Sequence, residues 1–385
     1  MTIYEEAKQL LPELIKHRRY LHENAEFGFD LPMTTSYVKE VLESYDLKPY
    51  EPCKGAIAVD IAPGKETFLL RADLDALPIE EKNHLTFKSK TPYSHNCGHD
   101  LHTTMLLGAA KLLKTHEKEL ESGVRLIFQP DEEGVRGADE LINSGFITPD
   151  IKAALALHVS PVMTSGNLFY RQGAMYASSD VFRIEIEGNG GHGAAPHETI
   201  DPINVAIQIY QTIQALISRE CPPREMVALS ICTIDAGKTF NVIPNTAVMT
   251  GTMRTYNETL RHDFCNRLKQ IIPLIGLMWK AKADITFTTS APSVYCDEKL
   301  TDQLLDIYKT HLPKDRVQEQ AEPFSWSEDF GAFGKLIPIA MLTVGTQVSG
   351  SLAPIHDPAV LFDENAMPIG SASLALAAMH YKHTL

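Results

Sequence analysis

Thr67-Phe68-Leu69-Leu70-Arg71-Ala72-Asp73 is an apolar run of strand length that closes on an acid. The arrangement recurs. Val124-Arg125-Leu126-Ile127-Phe128 runs toward Glu132 and Glu133, and Ala153-Ala154-Leu155-Ala156-Leu157 leads directly into His158. The stretch from Thr103 to Leu113 reads as a helix, as does Glu5 to His22, where Leu10, Leu11, Leu14 and Ile15 have helical spacing. Strands alternating with helices predict an α/β layer whose central sheet is mainly parallel and flanked by helices. Chemistry in such sheets gathers at the carboxyl ends of the strands. Asp73, Asp75, Glu132, Glu133 and His158 all fall at such ends.

The pattern changes near residue 180. Val181-Phe182-Arg183-Ile184-Glu185-Ile186-Glu187 alternates apolar and charged residues, the mark of a strand with one wet face. A helix is expected from Asp201 to Ser218, then strands at Met226 to Ile234 and Thr246 to Thr255. A second helix carries Leu260, Phe264, Leu268 and Ile271 on one face, and a strand from Ala283 to Thr289 closes the series. The order β-α-β-β-α-β is that of a split ferredoxin-like unit. The chain is therefore expected to hold a catalytic domain at 1–178 and 292–385, interrupted by an inserted lid or dimerisation domain at 179–291.

Composition limits the function classes. The 385 residues suffice for two cores, and 44% apolar with 22% charged residues is ordinary for a soluble protein. A net charge of -14 argues against nucleic acid or an anionic membrane as partner. The sequence opens Met1-Thr2-Ile3-Tyr4-Glu5-Glu6, without the basic and apolar regions of a signal peptide. The six cysteines show no close pairing of the kind that marks a disulfide framework. The expectation is a reduced, cytoplasmic protein.

Asn96-Cys97-Gly98-His99-Asp100-Leu101-His102 is the most chemically loaded stretch. A lone cysteine is most often a small core residue. Here Cys97 lies in a polar segment with His95, His99 and His102, and Gly98 allows a tight turn. That context favours Cys97 and His99 as metal ligands, with His95 and His102 in supporting roles. Gln129-Pro130-Asp131-Glu132-Glu133-Gly134 adds adjacent carboxylates, otherwise an ordinary solvated turn. If the backbone there is extended, neighbouring side chains point apart, so one glutamate can reach a metal while the other faces the substrate. Thiolate, imidazole and carboxylates together are the parts of a metal-activated water, which points to a hydrolase. His158 at a strand end and His356 in Ala353-Pro354-Ile355-His356-Asp357-Pro358 could each be structural on their own.

The chain resembles the aminoacylase/carboxypeptidase metallopeptidase superfamily. Within it, the similarity is to the branch of hippurate hydrolases, N-acetyldiaminopimelate deacetylases and plant auxin-conjugate amidohydrolases. Eight ordered motifs carry the likeness almost end to end: Arg71 to Ile79, Asn96 to His102, Gln129 to Gly134, Gly190 to His197, Asn241 to Pro244, Gly251 to Thr255, Ser327 to Gly331 and His356 to Pro358. The resemblance implies two divalent metal ions per subunit, zinc or manganese foremost, with cobalt and nickel also compatible. It implies Cys97 as the ligand shared by both ions, with His99, Glu133, His158 and His356 completing the set. Glu132 matches the general base, and Asp75 an acid that orients a metal-bound histidine. Asp73 stands where relatives outside the branch carry a histidine ligand. His192 matches a residue that stabilises the oxyanion, often across a dimer interface. Asn241 and Arg254 match positions that hold the substrate carboxylate. The implied assembly is a homodimer or homotetramer formed through the inserted domain.

Two positions depart from the family pattern. Asp131 replaces a common alanine, and Ser327 replaces the usual glycine before Glu328-Asp329-Phe330. The expected activity is hydrolysis of N-acyl amino acids or similar small conjugates. The rivals are a dipeptidase, for which Asp131 could receive the substrate amine, an N-acetyldiaminopimelate deacetylase, and a catalytically silent binding protein.

Overall fold

The computed structural model describes residues 1–64 and 66–382. By internal contact the chain divides into two compact units. One comprises Met1–Met175, Tyr295–Pro323 and Asp329–Leu385, and the other Tyr176–Val294 with Phe324–Glu328.

The first unit is built on a seven-stranded sheet in the order Ile57–Ile61, Gly123–Gln129, Thr67–Asp73, Ile151–Ser160, Ile339–Gly345, Leu168–Tyr170 and Val317–Glu319. The strands from Gly123–Gln129 to Ile339–Gly345 are mutually parallel, so their carboxyl ends open on one edge. Thr67–Asp73 and Ile339–Gly345 are buried at every position. This explains their lack of alternation, because helices cover such strands on both faces. The helices His99–Thr115 and Met367–His380 are themselves buried almost all round. They meet where a Cβ on Gly108 would lie 2.4 Å from Ser371 Oγ, so only glycine permits that approach.

The structure differs from expectation at the amino end. Instead of one helix from Glu5 to His22, two helices span Ile3–Gln9 and Leu11–Glu23. Pro12, in the first turn of the second, supplies the helix start, since proline lacks the N–H that a continuous helix would use. The helix expected from Thr103 begins earlier, at His99, directly after Gly98.

The second unit has a four-stranded antiparallel sheet in the order Lys282–Ala291, Ser179–Glu187, Thr246–Thr255 and Val227–Ala236. Phe182, Ile184 and Ile186 point inward, while Arg183 and Glu185 face water. The helices Pro202–Glu220 and Glu258–Met278 bury Ile209, Ile213, Phe264 and Leu268 in the same core. The segment 324–328, which sequence reading left in the first unit, returns to the second. There Ala177 N–H donates to the carbonyls of Phe324 and Trp326.

Candidate metal centre

The five expected ligands all belong to the first unit. Thr67–Asp73, Gly123–Gln129 and Ile151–Ser160 deliver Asp73 and Asp75, Glu132 and Glu133, and His158 from neighbouring strands. Cys97 precedes Gly98, whose φ of +90° turns the chain into the helix that starts with His99. A Cβ at Gly98 would lie 2.3 Å from Val159 Cγ2, so this turn requires glycine twice over.

Both buried histidines are oriented by main-chain acceptors. His99 Nδ1 lies 2.7 Å from the Asp75 carbonyl, and His158 Nδ1 lies 2.7 Å from the Val159 carbonyl. A carbonyl can only accept, so each Nδ1 carries a proton, which leaves Nε2 as the nitrogen able to ligate a metal once it is free of its own proton. His158 Nε2 is 3.5 Å from Cys97 Sγ. His99 Nε2 is buried and makes no hydrogen bond, as is Glu133 Oε1. Buried polar atoms are seldom left unpaired, and a bound cation satisfies both. His356 Nε2 approaches Glu133 Oε1 at 3.6 Å.

Among the described residues five groups of donors lie close enough to hold an ion, and two of them share Cys97; the others are Asp73 with His99 and His102, His99 with Glu132 and Glu133, and Glu132 with Glu328 and Asp329. Of the two that share it, Cys97, His99 and His158 form the first, and Cys97, Glu133 and His356 the second, with donors in each set within 4.8 Å of one another. Electrostatics agree. Burial disfavours a charged His99, yet Asp73, Asp75 and Glu133 outweigh it and push the imidazole up to about 10. Burial raises the Glu133 carboxyl to about 7 despite the opposing pull of His99. A site that must protonate its own members to balance its carboxylates is suited to cations.

Glu132 lies beside Glu133 rather than apart from it. Its Oε2 is 3.8 Å from His99 Nε2, and Glu133 Oε1 is 3.9 Å from the same atom. The expected divergence assumed an extended backbone. Instead Asp131 and Val135 adopt φ of +53° and +56°, and Val135 N–H closes a turn on the Glu132 carbonyl. The Asp75 carboxylate accepts the Glu132 and Glu133 N–H groups at 3.1 and 3.2 Å. Thus the Asp75 carbonyl aligns His99, while its carboxylate holds the glutamate turn.

Asp73 is committed elsewhere. Its oxygens meet His102 Nδ1 at 2.6 Å and Arg71 Nη1 at 2.8 Å, and its interactions with His102, His99 and Arg71 hold its carboxyl well below the usual carboxylate range against the effect of burial. His102 Nε2 accepts the Val159 N–H at 2.9 Å, so both its nitrogens are engaged in support. The guanidinium of Arg71, fully buried, continues to Asp329 Oδ1 at 3.0 Å and Gln129 Oε1 at 3.0 Å. Sequence reading quoted Arg71 and Asp329 in separate motifs but did not pair them. An arginine inside an otherwise apolar strand was the available signal.

Asp131 is a correction. Far from standing open to a substrate amine, it is buried and both its oxygens accept from Arg136, at 2.7 and 3.2 Å. The turn conformation directs it there.

His192, Asn241 and Arg254 belong to the second unit. His192 is exposed on the short strand Gly191–His192, which pairs with Val242–Ile243 beside Asn241. Its Nδ1 accepts the Ala194 N–H at 3.1 Å. The Arg254 guanidinium donates to Thr252 Oγ1 and the Met253 carbonyl, and burial lowers its pKa.

Comparison with known proteins points to one family, whose similar members include a thermostable carboxypeptidase of Saccharolobus solfataricus, 33% identical and covering 98% of both chains. Residues 69–380 match the model of peptidase family M20/M25/M40. The chain is 35% identical over 377 residues to an N-acetyl-L-cysteine deacetylase of Bacillus subtilis, covering 95% of this chain and 89% of that protein. It is 34% identical to an IAA-amino acid hydrolase of Arabidopsis thaliana, covering 94% and 84% respectively. A crystal structure of a dinuclear metal-binding M20 peptidase from Bacillus subtilis superposes with a TM-score of 0.82 at 30% identity, covering 97% of this chain and 98% of that one.

Proposed function

The chain belongs to peptidase family M20/M25/M40, and we propose how its residues divide the work of that chemistry. It is a metal-dependent amidohydrolase that cleaves the amide bond of N-acyl amino acid conjugates, releasing a carboxylic acid and a free amino acid. The observation that carries the assignment of roles is the pair of donor sets sharing Cys97, with His99 Nε2 and Glu133 Oε1 buried inside them without a hydrogen bond.

In this reading Cys97, His99 and His158 would hold one divalent ion, and Cys97, Glu133 and His356 would hold the other. Zinc suits the thiolate and imidazoles, and manganese the carboxylates. Bound there, divalent ions supply Lewis acidity that activates water and polarises the amide carbonyl, lowering the pKa of water from 15.7 to roughly 7. Glu132 accepts the proton of the attacking water on its carboxylate and returns it to the departing amide nitrogen. Asp75 keeps that carboxylate in place by fixing the turn from below. His192 donates to the developing oxyanion, a contribution of ~3–4 kcal/mol for a well-placed donor. Arg254 suits the substrate carboxylate because its planar fork can bind both oxygens, with Asn241 beside it in role.

We read the second unit as a ferredoxin-like lid. Its β-α-β-β-α-β order and antiparallel sheet support this, and pairing of two chains through it would give a homodimer. The engagement of Asp131 with Arg136 takes away the feature that favoured a dipeptidase. The test is a panel of acetyl, benzoyl and aminoacyl conjugates of one amino acid, supplied to metal-loaded protein. Faster release from acyl than from aminoacyl conjugates supports the reading. The reverse order would make the enzyme a dipeptidase, and binding without release would make it a silent relative.

A further inference from the structure

His356 enters the metal centre from a loop that its own burial does not secure. Its side chain is half exposed, and Leu352, four residues earlier, is 82% exposed. Its backbone lies at φ +65°, in the left-handed region that costs a residue bearing a Cβ about 1–2 kcal/mol. A half-exposed ligand in an unfavourable conformation needs an outside restraint, because metal coordination tolerates only about 0.2 Å of misplacement.

Two hydrogen bonds tie the His356 segment to Asn96. His356 N–H donates to the Asn96 carbonyl at 2.9 Å, and Asn96 Nδ2 donates to the Asp357 carbonyl at 2.6 Å. Asn96 is buried and immediately precedes Cys97, the residue common to both donor sets. Other anchors of the loop act further on: Lys82 N–H meets the Pro358 carbonyl, and Asn83 Nδ2 the Val360 carbonyl, each at 2.8 Å. These fix the path of the chain beyond the ligand. The Asp357 N–H turns back within the loop to the Pro354 carbonyl at 3.3 Å. The contacts of Asn96 hold the His356 N–H and the carbonyl of the next residue, in register with the thiolate.

We propose that Asn96 is a positioning residue for the metal centre, locking His356 to Cys97 so that the Cys97–Glu133–His356 set can hold its ion. The proposal rests on reading those three residues as ligands. It is selective by construction. His99 and His158 are oriented by the carbonyls of Asp75 and Val159, which do not involve Asn96. Loss of the Asn96 side-chain amide should therefore weaken one ion and spare the other.

The test is equilibrium dialysis of chelator-stripped protein against manganese(II), with metal content per chain measured for wild type, Asn96→Asp, Asn96→Ala and His356→Ala. Asn96→Asp is nearly isosteric but turns an oxygen toward the Asp357 carbonyl, and Asn96→Ala separates the lost donor from the added charge. The expected result is an unchanged first ion and a second ion weakened about 10–100-fold in both Asn96 variants, the usual size of an outer-shell effect. Activity should return as manganese is raised. If His356→Ala keeps both ions at wild-type affinity, the ligand reading itself fails. If His356→Ala loses the second ion while both Asn96 variants bind as wild type, the role of Asn96 is overturned. Equal weakening of both ions together with a lower unfolding temperature would also overturn it, leaving Asn96 a general structural residue.

Discussion

Asp75 grips Glu132 by the main chain: its carboxylate Oδ1 accepts the Glu132 N–H at 3.1 Å, and Oδ2 takes the neighbouring Glu133 N–H at 3.2 Å. One buried carboxylate thus sets the direction in which both glutamates leave the turn. Asp75→Asn preserves size but turns a donor toward an N–H. We expect kcat to fall about 10–100-fold with KM little changed. Steady-state kinetics on metal-saturated protein would decide, and an unaltered kcat would mean that the turn holds itself.

In this account Glu132 carries the proton and the ions are held by the sets built on Cys97, although Glu132 also falls in two other donor groups, with His99 and Glu133 and with Glu328 and Asp329. Glu132→Gln should therefore keep its metal content and lose nearly all turnover. A variant retaining more than about a tenth of the wild-type rate would remove Glu132 as the base.

Metal uptake should depend on pH with a defined sign. The Glu133 carboxyl of the metal-free protein is raised by burial to about 7, so below that pH it holds a proton that must leave before it can ligate. His99, raised to about 10, must also lose a proton to ligate, so apparent affinity should fall about tenfold per unit as pH drops toward 7 and more steeply below it, where Glu133 is protonated as well. Titration of manganese at pH 6 and pH 8 checks this. Equal affinities at both would contradict it.

The Asp131–Arg136 pair predicts what substrate selection does not depend on. Asp131→Asn keeps a residue tolerant of the left-handed turn, and the Arg136 side chain is 66% exposed. Stability should drop by about 1 kcal/mol or less, after allowance for solvent screening. The ratio of acyl to aminoacyl turnover should not move. A shift in that ratio would make Asp131 a substrate contact.

If His192 serves the site of a partner chain, two inactive variants should complement. Mixed His192→Ala and Glu132→Gln chains would form hybrid dimers with one intact site, and part of the activity should return. No recovery in verified hybrids would assign His192 to its own chain.

The sheet was legible because Thr67–Asp73, Gly123–Gln129 and Ile151–Ser160 are apolar runs that stop at charged or polar groups. The start of the helix His99–Thr115 was not. Its first turn is polar, and those polar groups are satisfied only by distant residues: Asp100 by Arg18 at 2.9 Å and His22 at 2.8 Å, and His102 by Asp73. No local rule anticipates such partners. The Arg71–Asp329 pair spans 258 residues of sequence and was invisible for the same reason. The turn at 131–135 escaped because Asp131 and Val135 both take positive φ, which for valine no propensity suggests. The ligand types were readable from Cys97, His99 and Glu133, but their division into two sets sharing Cys97 needed the fold.

The most direct test of the account joins metal content to turnover. Chelator-stripped wild type and Cys97→Ala would be given manganese or zinc in steps, with bound metal and release of amino acid from an N-acetyl amino acid followed together. The account predicts no turnover without metal, full turnover as two ions bind to wild type, and loss of tight binding of both ions in Cys97→Ala. Turnover by metal-free protein, or two tightly held ions in Cys97→Ala, would contradict it.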